Sequence, residues 1–422
     1  IKPINLFYVQ NHSSVVKEYM ALKYIFLFFC FFPYIQIVPL STDSQPYGLI
    51  FGGLIVFLNK SWKLNKDLFM LFLIAITSIF IFFFSPFDFN SIRSLVNYIS
   101  IFIIAWATYI VLSDRESFSF NLFKKCVYVW LVFGLVQQFV YRPFGSFLIS
   151  RLWVGYGDRG MSALAPEPTF YAIICVLFSI ICFLNFSNEK EYKRIQILLL
   201  IQIVLLSRSA TIIMFGGFAI MVYCIFILMR RNLASFMSVI IVTAIMVIIV
   251  PILLPYITQY RVGKLLSLFI ENPALFITSD DSVNERFTHA FFPIHGFCTN
   301  YGLPHFYGNF QEYLNTIYNS GEFSEYISFF RNNSRIMSGF GSIFFELGFI
   351  AILLVYIIIH DFIIIGRKRQ SSFLFCLMFL IVLLNAMPFS NSLIGFVIGN
   401  IIYCSDKILI KKHLSCNVTT HI

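Results

Sequence analysis

Charged side chains are scarce in this sequence. Asp, Glu, Lys and Arg make up 12% of its 422 residues, about half the roughly 25% carried by a soluble globular chain. That deficit excludes a water-facing surface over most of the chain. The spacings that announce common chemistries are also missing. There is no Walker loop, no His-Glu-x-x-His, no Cys-x-x-Cys, no Asp-rich stretch and no Gly-x-Ser-x-Gly. ATP is therefore not the expected energy source, and no metal or cofactor is expected. The nine cysteines give no disulfide framework. Cys30, Cys175, Cys182 and Cys376 lie inside apolar runs, and Cys298 stands in a polar stretch with no obvious partner.

What is present is hydrocarbon. Hydrophobic residues make up 59% of the chain and the mean hydropathy is +0.83. Apolar runs of about 20 residues recur along the whole length, the span needed to cross a bilayer. Backbone polar groups in lipid must be satisfied within the segment, which makes these runs helices. The expected fold is an all-α polytopic membrane protein of about twelve spans. We place them near 21–40, 46–59, 67–86, 94–113, 122–141, 168–186, 194–207, 209–229, 236–257, 339–365, 371–388 and 391–408.

Basic residues set the orientation. With both termini inside, the inside segments hold 14 Lys and 6 Arg, two or three in every segment, as cytoplasmic loops should. The formal net charge of +10 thus needs no nucleic acid to explain it. The chain divides into a cytoplasmic segment 1–19, helices one to five over 20–141, a first long outside loop 142–167 and helices six to nine over 168–257. A large outside loop, 258–338, carries amphipathic stretches, one at Val262, Leu265, Leu266 and Phe269 and one over Glu322–Arg331. Helices ten to twelve follow over 339–408, then a cytoplasmic tail 409–422. Residues 1–19 lack the apolar core and small-residue cleavage positions of a signal peptide.

The ten outside basic residues are Arg93, Arg142, Arg151, Arg159, Arg208, Arg261, Lys264, Arg286, Arg331 and Arg335. Nine are arginine, a bias that topology does not require. The guanidinium fork matches phosphate and carboxylate oxygens, so the bias points to an anionic, lipid-borne ligand. Ordinary salt bridges to Asp158, Glu271, Asp280, Asp281 and Glu285 are the plainer alternative. Glu167, between two prolines at the mouth of a span, either caps that helix or takes a proton from a hydroxyl. Arg208 breaks an apolar stretch at Ser207-Arg208-Ser209, where a charge at membrane depth is costly without a partner; snorkelling is the plainer reading. His289, three residues after Arg286, is a second candidate base.

Arg159-Gly160 followed by Glu167-Pro168, the Leu206-Ser207-Arg208-Ser209 break, the large second loop, and Gly341-Ser342-Ile343-Phe344-Phe345-Glu346-Leu347-Gly348 occur in an order that resembles the O-antigen polymerases (the Wzy family) and, more distantly, the O-antigen ligases. The sequence departs from the family's Arg-rich loop motif, since Arg286 reaches Gly296 after nine intervening residues and Arg151 meets Ser162 where Gly is expected. The resemblance implies a GT-C-like fold in the bacterial inner membrane with both long loops periplasmic. It implies joining of undecaprenyl-diphosphate-linked oligosaccharides without a cofactor, alongside membrane lipid, a chain-length regulator and a flippase. It assigns Arg159, Arg208, Arg286 and Arg335, then Arg93 and Arg151, to the departing diphosphate, and Glu167 or His289 to the proton. A ligase and a lipid-linked oligosaccharide flippase stay open as alternatives. Charged residues lining a central cavity would favour the flippase.

Overall fold

The computed structural model describes residues 4–38, 44–59, 64–114, 117–154, 160–230, 237, 258, 261–327, 335–385 and 387–419. The expected span at 236–257, apart from residue 237, and the residues Arg159 and Arg331 fall outside them. Among the described residues the chain is all helix, with no strand.

The helices are α1 (Ile4–Phe31), α2 (Tyr47–Leu58), α3 (Lys66–Phe82), α4 (Phe89–Ser113), α5 (Phe120–Phe139), α6 (Pro168–Phe186), α7 (Tyr192–Ile201) and α8 (Ala210–Arg230). Next come four helices of the large loop: α9 (Arg261–Glu271), α10 (Pro273–Thr278), α11 (Asp281–Thr299) and α12 (Phe310–Ser320). The chain ends with α13 (Gly339–Leu347), α14 (Ala351–Gly366), α15 (Ser372–Leu384) and α16 (Ser392–Thr419). Among the described residues, five stretches are long and apolar enough to cross a membrane: α4, α5, α6, the run Gly339–Gly366 through α13 and α14, and Ser392–Lys411 of α16. Shorter apolar helices are Tyr47–Leu58, Ala210–Phe226 and Ser372–Leu384. The chain is a helical membrane protein.

Side chains start several of these helices at polar punctuation. Asn65, Asp88, Ser119 and Ser338 each accept a hydrogen bond from a first-turn N–H of α3, α4, α5 and α13. Asp280 does so for α11 and also takes Arg261 through three contacts of 2.8–3.2 Å, tying α9 to α11.

In lipid, helix association relies on close packing rather than on expulsion of water. The most extensive pair is α4 against α16. A Cβ on Gly399 would stand 2.4 Å from the Ala105 carbonyl oxygen, and one on Gly395 would stand 2.8 Å from Ile104 Cβ. Only glycine admits this approach. Helix α6 is buried nearly all round, from Tyr171 to Phe186. A second, smaller core lies in the large loop, built from Phe292, Phe310, Leu314, Ile317, Ile327 and Ile336, and Phe345 of α13 enters it.

Three expected elements differ in detail. The span at 339–365 is interrupted: Gly348 adopts φ +65 and a short 3-10 turn, Gly348–Ile350, separates α13 from α14. The span at 194–207 is α-helical only to Ile201 and then widens into a π-helix, Gln202–Ser207, ending at Arg208 with φ +45. The stretch expected to be helical from Glu322 is a 3-10 turn over Ser324–Ile327, with residues 328–331 outside the described set. The other amphipathic stretch is α9, which buries Leu265 and leaves Phe269 exposed.

Replacing Gly399 by Leu is expected to force α4 and α16 apart and cost about 1–3 kcal/mol by overpacking. Gly53, where a Cβ meets nothing within 4 Å, is the control. Thermal unfolding in detergent micelles should show a lower midpoint for Gly399→Leu and little change for Gly53→Leu.

Candidate functional site

A cavity of about 350 Å³ opens where the large-loop helices meet one end of the bundle. Its walls follow helical periodicity. Asn90, Arg93, Ser94 and Asn97 occupy one face of the first turns of α4. Asp281, Ser282, Glu285 and Arg286 do the same on α11, and Ser342 and Glu346 on α13. Arg151 and Glu167 enter from the first long loop, and Arg335 from the segment leading into α13.

Of the residues expected from the sequence, Arg93, Arg151, Glu167, Arg286 and Arg335 converge on this cavity. Arg208 and His289 do not line it. Arg208 is exposed, and its Nε donates to the Leu205 carbonyl of its own turn at 3.1 Å. His289 is buried behind the wall, where its Nδ1 accepts from the Met337 N–H at 3.4 Å. Arg159 lies outside the described residues.

Arg286 is held by neutral groups. Arg286 donates through Nη1 to Thr211 Oγ1 at 3.0 Å and Ser282 Oγ at 2.6 Å, and through Nη2 to Thr169 Oγ1 at 3.1 Å. Its buried Nε has no partner among the described residues. Among those residues none of Arg151, Arg286 and Arg335 sits in a salt bridge. Arg261 is different: its pairing with Asp280 is structural.

The carboxylates are arranged unequally. Glu167 stands at the N-cap position of α6, yet its side chain makes no capping hydrogen bond. Glu285 has its carboxyl pushed above the usual range, first by burial and next by the nearby charge of Glu167, with Arg286 and Arg335 opposing. Glu346 is buried and accepts from Tyr98 Oη and from Ser94 Oγ at 3.0 Å. Burial lowers the pKa of the Arg286 guanidinium, and Glu167 works against that shift.

Glu285 and Glu346 were absent from the expected site. A signal for Glu346 existed, because an acidic residue inside an apolar run is a functional candidate by default. The polar stripe Asn90, Arg93, Ser94, Asn97 at helical spacing was a second signal.

The Leu206–Ser209 break serves the loop instead of the cavity. Gly160 lies against it so closely that a Cβ would be 2.2 Å from the carbonyl oxygens of Leu206 and Ser207. The Met161 N–H donates to the Leu206 carbonyl at 2.7 Å. Gln137 holds the next residues, donating to the Ala163 carbonyl at 2.8 Å and accepting from the Ala163 N–H at 2.7 Å. This clamp brings Glu167 to the cavity rim.

Fold and cavity together define a helical membrane protein with a charged cavity at one end of its bundle. Comparison with protein-family models, curated proteins and solved structures returned no match.

His289 makes stability depend on pH. Burial, and secondly the charge of Arg335, push its pKa down from 6.5 to about 4. The unfolded chain then binds the proton first. The stability is full above pH 6.5 and is lost as pH falls toward 4, by about 3 kcal/mol at most. Unfolding midpoints at pH 7 and pH 4.5 should diverge more for the wild type than for His289→Gln.

Proposed function

We propose that this protein joins lipid-diphosphate-linked oligosaccharides at the periplasmic face of a bacterial inner membrane, as an O-antigen polymerase. The observation that carries the reading is the convergence of Arg93, Arg151, Arg286 and Arg335, from four separate parts of the chain, on one cavity with Glu167. The reading also takes the full twelve-span topology with both termini cytoplasmic, a GT-C-like arrangement, and partnership with a chain-length regulator and a flippase, all on resemblance.

The chemistry follows from the groups present. A hydroxyl of one lipid-linked unit attacks the anomeric carbon of another. The new glycosidic C–O bond forms as the bond to undecaprenyl diphosphate breaks, and the diphosphate leaves with its electron pair. Guanidiniums fixed in advance stabilise the charge it gains without reorganising. Arg286 suits this role because hydroxyls position it and leave its charge uncancelled. The hydroxyl proton goes to a carboxylate. Glu167 is the base, and Glu285, whose carboxyl is pushed up by burial and by the charge of Glu167, stands near it as a second proton-holding group. His289 is a poor base at a pKa of about 4 and faces away from the cavity. Arg208 is left out of the proposed site.

A second reading has one observation in its favour. Charges do line a cavity, and Glu346 brings one into an apolar helix, as a lipid-linked oligosaccharide flippase would require. The charges gather at one end of the bundle, which favours surface chemistry over passage.

The test is the surface polysaccharide of a deletion strain complemented with variants. Arg286→Ala is expected to reduce the polymer ladder by roughly 100-fold and Glu167→Gln by a comparable amount, while Arg208→Ala keeps it. Single repeat units on the lipid core would accompany the loss. Lipid-linked polymer with bare core would assign a ligase, and lipid-linked units trapped on the cytoplasmic side a flippase. A normal ladder from Arg286→Ala would remove the cavity from the mechanism.

A further inference from the structure

A second cluster of chemistry-bearing side chains lies at the other end of the bundle. Asp67 belongs to the first turn of α3, whereas the far end of that helix meets the loop beside the cavity, where Tyr307 donates to the Ser78 carbonyl at 2.9 Å. His360 and Asp361 lie near the last turns of α14, remote from Glu346. One ligating atom from each of Asp67, His360 and Asp361 falls within 4.8 Å of the others. We propose that these three residues form a binding site for a divalent transition-metal ion, independent of the cavity and of the reaction proposed there.

Three observations carry this. First, the donors are converging and in part unused. Asp361 is fully buried with Ser405 as a neighbour, yet neither its Oδ2 nor Ser405 Oγ completes a hydrogen bond of good geometry among the described residues; the buried Oδ1 of Asp67 is likewise without one. An ionised carboxylate in such a position is costly unless it is paired or coordinates a metal. Second, the imidazole is already in position. His360 Nδ1 is 3.2 Å from Asp361 Oδ1, close to the separation of two donors on one metal with bonds of about 2.0–2.2 Å. The ring is steadied by stacking on Tyr356, one turn earlier, at 5.1 Å between centroids and 17° between planes. Third, the local charge balance calls for a cation. Asp406 of α16 interacts electrostatically with both Asp67 and Asp361 and accepts a hydrogen bond from Tyr109 Oη. Lys66, next to Asp67, supplies part of the opposing charge, with its Nζ over the Tyr356 ring 5.6 Å from the centroid.

A protonated His360 paired with Asp361 would offset one negative charge and leave the inner oxygens unpartnered. A divalent ion offsets two and uses the orphaned donors. The donor set selects the class. Imidazole nitrogen disfavours Mg²⁺ and Ca²⁺, and the absence of thiolate disfavours Cu⁺, leaving the divalent transition ions, of which Zn²⁺ is the probe. Three protein donors leave a position for water. His360 is only half-buried, so an ion reaches the site from that end of the bundle. Such an ion would fasten α3 to α14, the second half of the interrupted span. No spacing motif announces the site, because residue 67 is far in sequence from residues 360 and 361.

The test uses the full chain, purified in detergent micelles through a tag without histidine, stripped with chelator and dialysed against ZnCl₂. Bound zinc is counted by mass spectrometry and thermal unfolding is followed with and without zinc. The wild type is expected to retain one Zn²⁺ per chain and to unfold at a higher temperature with it. His360→Ala and Asp361→Asn should each lose that equivalent and the shift, while His295→Ala, in the large loop, keeps both. His360→Gln, at a half-exposed position, serves if Asp361→Asn does not fold. Wild-type protein holding no zinc above the buffer, or His360 variants that hold as much as the wild type, would overturn the proposal. Neither result bears on the polymer ladder, so the two proposals fail separately.

Discussion

A helix interrupted inside an apolar run strands backbone N–H and C=O groups where lipid offers them nothing. The break at Gly348 meets this constraint by borrowing partners from the large loop. Phe349 N–H donates to the Gly302 carbonyl at 3.0 Å, and His305 N–H donates to the Phe345 carbonyl at 2.9 Å. The fit is tight, since a Cβ on Gly348 would be 2.5 Å from that same Gly302 oxygen. Much else depends on this exchange. It docks the loop on the bundle, with Tyr307 N–H donating to Ser85 Oγ at 3.0 Å and the His305 ring stacked on Phe345. It lets Phe345 enter the small core while its neighbour Glu346 faces the cavity. The interruption is what makes one apolar stretch serve both a core and a charged site.

The cavity brings opposite charges together on its walls. Four arginines and four carboxylates, Glu167, Asp281, Glu285 and Glu346, line it. Hydroxyls of Thr169, Thr211 and Ser282 hold Arg286, and hydroxyls of Tyr98 and Ser94 hold Glu346. For these two groups, neutral partners fix the charge in space and leave most of its field intact. That arrangement suits a reaction in which negative charge departs on one side while a proton is taken up on another.

Much of this was legible from the amino acids, and the remainder had physical reasons for being hidden. Apolar runs marked α4, α5, α6 and α16 because a bilayer demands length and hydrophobicity together, and both are local properties. The preference for Arg over Lys outside the inside loops pointed to Arg93, Arg151, Arg286 and Arg335, since guanidinium chemistry does not depend on fold. Arg208 carried the same signal but lies apart from them, because its φ of +45 turns it onto its own helix end. Glu346 was quoted only within a motif and not as a site, since nothing local says which face of a helix meets a cavity. The break at Gly348 was hidden for a related reason: glycine inside an apolar run is tolerated, and the partners that make a break affordable lie some forty residues upstream at 302–305.

The π-helix over Gln202–Ser207 has a consequence for how this chain can change over generations. A π turn holds one more residue than the α turn it replaces. Removing a single residue from this stretch would close the widened turn and restore a regular α-helix, with the helix on either side keeping roughly its phase. The change would fall within the stretch that carries the Gln202 side chain, which accepts from Tyr171 Oη at 2.8 Å, and the Leu206 and Ser207 carbonyls against which Gly160 lies. The lipid-facing positions Val204 and Leu205 are exposed and free to vary among apolar residues. This segment can therefore drift widely in sequence while its length stays fixed.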